Sequence, residues 1–356
     1  MKIILAFDSY KDCISATQAC QTAERALRQR WPEAEIVQIP LSDGGEGLVR
    51  SISRCIPTQL VDVQAHGPLM EDIHAQYALS QDGQTAYMEM AATSGLPLVP
   101  PNRRNPLQTT TYGVGEMIAN ATERGCQHIV MGIGGSATCD GGRGMLQALA
   151  QHFGTTIHQS RQWPLPPITV ACDVKNPLYG PLGAAHIFAP QKGASPQEVL
   201  LLDQQLRQWA RDTEAAGLAT SHLADAPGAG AAGGLGYGLM AYLSGTLRSG
   251  IDIVLDITQF NDLILGANLV ITGEGKSDEQ TLMGKVPHGV LRRCQVQKIP
   301  VCLLSGAIDD PHSILSHHFQ LVRSINEGDP RPLPTLMQPQ VAMSNLEKAI
   351  WELPEK

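Results

Sequence analysis

The stretch from His128 to Gly154, HIVMGIGGSATCDGGRGMLQALAQHFG, decides the fold. Residues His128–Ile133 are a short apolar run containing β-branched side chains, which reads as a buried strand. A long glycine loop follows, and then a helical pattern that ends near Gly154. A strand, a glycine loop and a helix in that order are the start of a βαβ unit, so a parallel sheet is expected here.

The same alternation extends outward in both directions. Lys2–Ala6 is apolar and strand-like, and the helix after it carries Ala16, Ala19, Cys20, Ala23, Ala26 and Leu27 on one face. Ser15 and Gln18 form a capping box at its start. The strand Glu35–Leu41 runs into Ser42-Asp43-Gly44-Gly45-Glu46-Gly47, after which Leu48, Val49 and Ile52 resume helical spacing. Segments 59–66, 72–79 and 84–90 read instead as strands joined by tight turns at Gly67-Pro68 and Asp82-Gly83, which favours antiparallel pairing. A helix is expected from Thr111 to Gly125, and a strand at Ile168–Ala171 that ends in Cys172-Asp173. Ser195-Pro196-Gln197-Glu198 is a second capping box, opening a helix to Gly217 with the stripe Val199, Leu202, Leu206, Trp209, Thr213 and Ala216. A Gly-rich helix start at 228–238, strands at Leu269–Thr272, Val301–Ser305 and Leu321–Ser324, and a last helix over about 340–352 complete the pattern. The expectation is an α/β chain of two domains. A Rossmann-like parallel-sheet domain is formed by both chain ends, residues 1–60 plus 257–356. A mixed α/β domain, residues 61–256, is inserted into it, with the active site in the cleft between them.

Composition narrows the function classes. The 356 residues are 43% hydrophobic and 17% charged, and the mean hydropathy is -0.09, which suits a soluble globular protein. The formal net charge is -8 and the basic residues are scattered, so no phosphate-backbone footprint for nucleic acid exists. The longest uncharged stretch, 226–247, is interrupted by glycines and a proline, which argues against a membrane span. The 8 cysteines show no C-x-x-C pair and read as free thiols of a cytoplasmic protein. A homodimer is the commonest oligomer for such a chain. Glycine, at 35 residues, exceeds the usual ~7%, so either tight turns or ligand-facing loops are abundant.

In open α/β sheets ligands sit at the carboxyl ends of strands, and the glycines and acids cluster at such ends. The loop Gly132–Gly144 can hold an anionic phosphate through backbone N–H groups and the following helix N-terminus, with Gly134, Gly135, Ser136 and Thr138 as the contacts. The alternative is a tight turn without a ligand. Gly230, Gly233 and Gly234 form a second candidate cradle, against which stands helix packing through small residues. Dinucleotide fingerprints match only in part, and Val270 stands where a P-loop needs its first glycine. Phosphoryl transfer needs a base beside the attacking hydroxyl, cations along the phosphates, and carboxylates for Mg²⁺. Asp43 or Asp173 suits the base, Lys11 suits the transferring phosphoryl oxygens, Asp278 is a further catalytic candidate, and Lys192 lies in a phosphate-handling loop. Glu46 and Glu274 are candidate metal ligands. Helix capping is the competing role for Asp43 and Asp278, and an Asx turn with Asn176 for Asp173. Arg104 offers a bidentate guanidinium to a substrate carboxylate, with Asn105 and Ser9 nearby candidates for substrate contact.

These loops carry a resemblance to a known family. DSYKD at 8–12, PLSDGGEG at 40–47, MEMAATSGL at 88–96, RNP at 104–106 and GVGEMI at 113–118 all belong to it. So do GIGGSATCDGG at 132–142, ACDVKNPLYGPLGA at 171–184, APQKGA at 189–194, GAGAAGGLG at 228–236 and ITGEGKSDEQTLMGKVPHGV at 271–290. In this order they resemble the type 1 glycerate kinases over nearly the whole chain. The resemblance implies transfer of the ATP γ-phosphoryl group to D-glycerate, with Mg²⁺, giving 2-phosphoglycerate in the bacterial members. Tyr10 stands where the family usually has Phe, Cys139 where it has Asn, and the segment from Gly154 to Pro164 is shorter than usual. A kinase for another small hydroxy acid and a non-catalytic sugar-acid sensor are the alternative functions.

Overall fold

The structure is a computed structural model that describes residues 1–42 and 47–354, so Asp43 and Glu46 lie outside the described residues. Its strands, in chain order, are β1 (Lys2–Phe7), β2 (Glu35–Gln38), β3 (Thr58–His66), β4 (Asp72–Ser80), β5 (Thr85–Glu89), β6 (His128–Gly132) and β7 (Ile168–Ala171). They continue with β8 (Thr246–Arg248), β9 (Leu269–Gly273), β10 (Lys276–Ser277), β11 (Val301–Ser305), β12 (Ala307–Ile308) and β13 (Leu321–Ser324). The chain forms two compact units.

The first unit comprises Met1–Asp43, Arg50–Ile56 and Ile251–Lys356. Its sheet has the order β13-β11-β9-β1-β2, and all four pairings are parallel. A parallel sheet covered on both faces needs near-continuous apolar strands. β1 meets that need, since every residue from Ile3 to Phe7 is fully buried. The helix Ala16–Arg30 buries the alanine and cysteine face expected from its spacing, and Ser15 caps it by accepting the Gln18 N–H at 3.2 Å while Gln18 accepts the Ser15 N–H at 2.9 Å. It packs with the last helix, Pro339–Trp351, in one core with Ile271, Cys302 and Leu304.

The second unit comprises Gly44–Val49 and Pro57–Gly250, with sheet order β3-β4-β5-β6-β7-β8. β3, β4 and β5 pair antiparallel, and β5 through β8 pair parallel. β3 accordingly alternates buried and exposed residues, whereas β6 is buried from Ile129 to Gly132. The helix Pro196–Ala215 starts at the Ser195–Glu198 capping box and buries Val199, Leu202, Leu206, Trp209 and Thr213. Ala216 lies one residue past its end and is exposed, which corrects the expected stripe. The short segment after Gly154 is a 3₁₀ helix, Ile157–Gln162. Arg161 fastens it by donating to Ser244 Oγ at 2.9 Å and to the Leu218 and Ala241 carbonyls at 3.0 and 2.8 Å.

Two elements differ from expectation. β8 has no apolar run, and it is a strand only because it lies along β7. The glycine-rich start at 228–238 is not a regular helix throughout: Ala232, Gly233 and Gly234 have φ of 52°, 68° and 90°, so regular turns resume only after them and run to Leu243. Gly233 has no room for a side chain there, because a Cβ would sit 2.0 Å from the Thr138 carbonyl oxygen.

Candidate active site

In the second unit the loops at the carboxyl ends of β5, β6 and β7 gather the candidates. The loop after β6 is held from one side by two backbone bonds, Leu96 N–H to the Gly135 carbonyl and Ala137 N–H to the Ser94 carbonyl, both at 2.8 Å. Gly134 and Gly135 remain partly open. Among the described residues, the N–H groups of Gly134, Gly135 and Ser136 have no protein acceptor, so three adjacent donors are available to an anion.

The helix that follows, Arg143–His152, is not available in the same way. The Asp140 carboxylate takes its N-terminal N–H groups at Gly142 and Gly144, both at 3.1 Å, and also accepts Thr111 Oγ1 at 2.7 Å and Thr111 N–H at 2.9 Å. This corrects the expected use of that helix end for phosphate: the chain supplies its own anion. Asp140 and Thr111 drew no attention in the sequence, although an Asp just before a helix is a capping signal.

Thr138 is fully buried and its Oγ1 lacks a hydrogen-bond partner, so a direct contact with a nucleotide is not open to it as the loop stands. Lys192 is 3% exposed. Its ammonium donates to Ser136 Oγ at 2.6 Å and to the Thr138 carbonyl at 2.7 Å, and burial lowers its pKa to about 8. It therefore supports the loop from inside rather than lining it.

The second glycine cradle is corrected as well. Gly230 donates its N–H to the Asn176 carbonyl at 2.9 Å, Gly234 donates to the Gly230 carbonyl at 3.3 Å, and the Gly233 carbonyl accepts the Gly141 N–H at 3.0 Å. These glycines serve close packing of two loops, the alternative that the sequence held open.

Arg104 is half-buried, with Nε donating to the Val99 carbonyl at 3.3 Å. Its terminal nitrogens keep the paired donor geometry that suits a carboxylate. Asn105 is spent on structure: its amide donates to Glu198 Oε1 at 2.8 Å and its Oδ1 accepts the Leu107 N–H at 2.9 Å. A substrate contact through Asn105 would have to break one of these bonds. Asp173 is exposed at the end of β7, and its two carboxylate oxygens accept the Gly250 N–H at 3.1 and 3.3 Å. Glu89, at the end of β5, was not singled out from the sequence. Its carboxylate accepts the N–H groups of Val49 and Gly47 at 2.7 and 3.2 Å, and so holds the chain just after residues 43–46.

In the first unit the candidates lie at the carboxyl ends of β1, β9 and β11. The Asp8 N–H donates to the Gly273 carbonyl at 2.9 Å, and the Tyr10 hydroxyl donates to the Leu304 carbonyl at 2.7 Å. Tyr10 is thus a buried tie between β1 and β11. Ser9 and Lys11 in the same loop are exposed, and the Ser9 N–H donates to Asp8 Oδ1 at 2.6 Å.

Glu274 is buried, and its Oε1 accepts Ser277 Oγ at 2.9 Å and Thr281 Oγ1 at 2.7 Å. Ser277 Oγ also meets Ser305 Oγ at 2.7 Å. Lys285 Nζ stands 3.7 Å from Glu274 Oε2 and 3.6 Å from Asp278 Oδ1. Burial raises the Glu274 pKa, while the two hydroxyls and Lys285 oppose the rise. Asp278 caps the turn Glu279–Met283 by accepting the Gln280 N–H at 3.0 Å, which is the capping role that competes with catalysis at this position.

Glu274 does not fit a metal ligand. One oxygen is filled by two hydroxyl donors and the other faces an ammonium, and among the described residues no group of three His, Cys, Asp or Glu side chains is placed to hold a metal. All eight cysteines are free thiols, and no helix among the described residues is long and apolar enough to cross a membrane.

Known proteins are similar to this chain over nearly its whole length. A profile of the glycerate kinase family matches residues 3–164 and 155–354. A glycerate kinase from Bacillus cereus is 40% identical, with 99% of this chain and 98% of that protein aligned. A glycerate 2-kinase from Escherichia coli is 42% identical over 92% of each. A crystal structure of a Salmonella typhimurium LT2 protein assigned as a glycerate kinase 2 superposes with a TM-score of 0.81 at 38% identity, over 99% of this chain and 98% of that one. The chain belongs to the glycerate kinase family and is an enzyme of the kinase class.

Proposed function

We propose that this enzyme transfers the γ-phosphoryl group of ATP to the 2-hydroxyl of D-glycerate, giving 2-phosphoglycerate and ADP. The observation that carries the reading is the loop after β6. Its three consecutive N–H groups without protein acceptors match what a nucleotide phosphate requires. The E. coli relative, named as a glycerate 2-kinase, supports the choice of acceptor hydroxyl.

In this reading Gly134, Gly135 and Ser136 hold phosphate oxygens through backbone N–H groups. Arg104 binds the carboxylate of glycerate through its terminal guanidinium nitrogens. Asp173 accepts the proton of the attacking hydroxyl as the new P–O bond forms and the bond to the ADP oxygen breaks. Asp43 is the alternative base, and Lys11 steadies the phosphoryl oxygens. Mg²⁺ supplies charge neutralisation on ATP when it is bound; Glu274 is not its ligand, and no step here depends on it.

A coupled assay for ADP release with D-glycerate tests the activity. Asp173→Asn is expected to lower kcat at least 100-fold, the scale for losing a general base. Wild-type turnover in both Asp173→Asn and Asp43→Asn would remove both carboxylates from the mechanism. Failure of the unaltered enzyme to release ADP with D-glycerate, while another hydroxy acid supports release, would reassign the substrate.

A further inference from the structure

A buried lysine is ordinarily paired with a carboxylate, because a desolvated ammonium without a counter-charge is costly. Lys192 breaks that pattern. It is 3% exposed, both its hydrogen-bond acceptors are neutral oxygens, and among the described residues no carboxylate lies within ion-pair distance of it. The titratable groups that face it are Cys139 and Asp140. Burial pushes the Cys139 thiol up to about 11, so it stays neutral, and the Asp140 carboxylate, which is turned to Thr111, Gly142 and Gly144, attracts the ammonium only from beyond ion-pair distance. Nor is the position accidental. Lys192 ends the turn Pro190–Lys192, and the next residue, Gly193, has φ 96° and packs where a Cβ would lie 2.2 Å from the Arg104 carbonyl oxygen. The lysine is thus delivered by a turn that admits no side chain after it, against the inner side of the loop whose N–H groups stand without acceptors.

We propose that Lys192 is a positioning residue for anion capture: its ammonium fixes Ser136 and Thr138 in place, and its unpaired charge is balanced by a phosphate held on the Gly134–Ser136 N–H groups. The inference rests on the functional reading above and adds to it an occupant for the charge. Lys192 does not touch the ligand in this arrangement. It acts through the loop and through the electrostatic field in a site of low dielectric, where a fixed charge is felt more strongly than in water.

The test uses the full-length enzyme and ADP as the probe. Lys192→Met, close in shape and uncharged, is expected to weaken ADP binding at least 10-fold by calorimetry and to raise KM for ATP by a similar factor. KM for D-glycerate should move less than 2-fold, and Lys192→Arg should recover part of the loss. A brace of purely structural importance would disturb both substrates together. A second measurement needs no variant. When ADP binds wild-type enzyme at pH 8, the incoming negative charge should draw a proton onto Lys192, and calorimetry in two buffers of different ionisation enthalpy would read net proton uptake. ADP affinity within 2-fold of wild type in Lys192→Met would overturn the proposal, as would zero proton uptake at every pH from about 7 to 10. Either result can coexist with normal D-glycerate turnover by the unaltered enzyme, so the inference can fail while the functional reading stands.

Discussion

Lys192 and Glu274 are both charged groups in glycine-rich loops, and the fold takes both inside. For Lys192 the consequence for stability has a definite sign. Its pKa falls from the ordinary 10.5 to about 8 in the folded chain. Between those two values the unfolded chain binds more protons than the folded one, so stability rises with pH across that window and the rise is lost as pH falls toward 8. Wild-type enzyme should therefore gain more stability from pH 8 to 10 than Lys192→Met does, by about 2 kcal/mol. Urea titrations at several pH values measure the difference in slope, and parallel slopes would contradict it. Glu274 makes a separate prediction. Since its oxygens meet Ser277, Thr281 and Lys285, Glu274→Gln should leave the Mg²⁺ concentration for half-maximal activity within about 2-fold. A shift of 10-fold or more would restore it as a metal ligand. The burial of Lys192 is not visible in the sequence, because its partners Ser136 and Thr138 come from a loop distant in the chain.

At the scale of elements, the parts of the chain set by local chemistry were legible. The capping boxes at Ser15 and Ser195 are bonded as their spacing requires, since a cap involves only residues three apart. The alternation in β3 and the apolar run in β6 likewise appear as a half-exposed and a buried strand. What failed was set by contact. The glycines at 230–234 resemble a phosphate cradle in isolation, yet their role follows from Thr138 and Asn176 lying against them. β8 exists because β7 offers it a partner. Asp140 shows how a single side chain can organise an element: it accepts two N–H groups at the helix start and the hydroxyl and N–H of Thr111. Asp140→Ala should cost on the order of 2 kcal/mol or more, since a cap is typically worth ~1 and a buried donor left unmade adds to it. Urea denaturation reads this directly; a change under 0.5 kcal/mol would show that the bonds are replaceable.

In each unit, parallel strands, five in the first and β5 through β8 in the second, send loops from their carboxyl ends, and the candidates lie on those connections. The glycine excess divides accordingly. Gly134 and Gly135 leave backbone donors open, while Gly230, Gly233 and Gly234 let loops approach each other. The loops named from the sequence do lie at strand ends, but several of their residues, among them Asn105, Lys192 and Gly230, are bonded to the protein itself. The central proposal, phosphorylation of D-glycerate at its 2-hydroxyl with ATP as donor, draws on family membership and on the open N–H groups after β6. Its most direct test is the ³¹P spectrum of the product formed from ATP and D-glycerate, with proton coupling retained. The account predicts a phosphomonoester doublet, from the single proton on C2 of 2-phosphoglycerate, growing with ADP. A triplet, from the two protons on C3 of 3-phosphoglycerate, or no phosphomonoester at all, would contradict it.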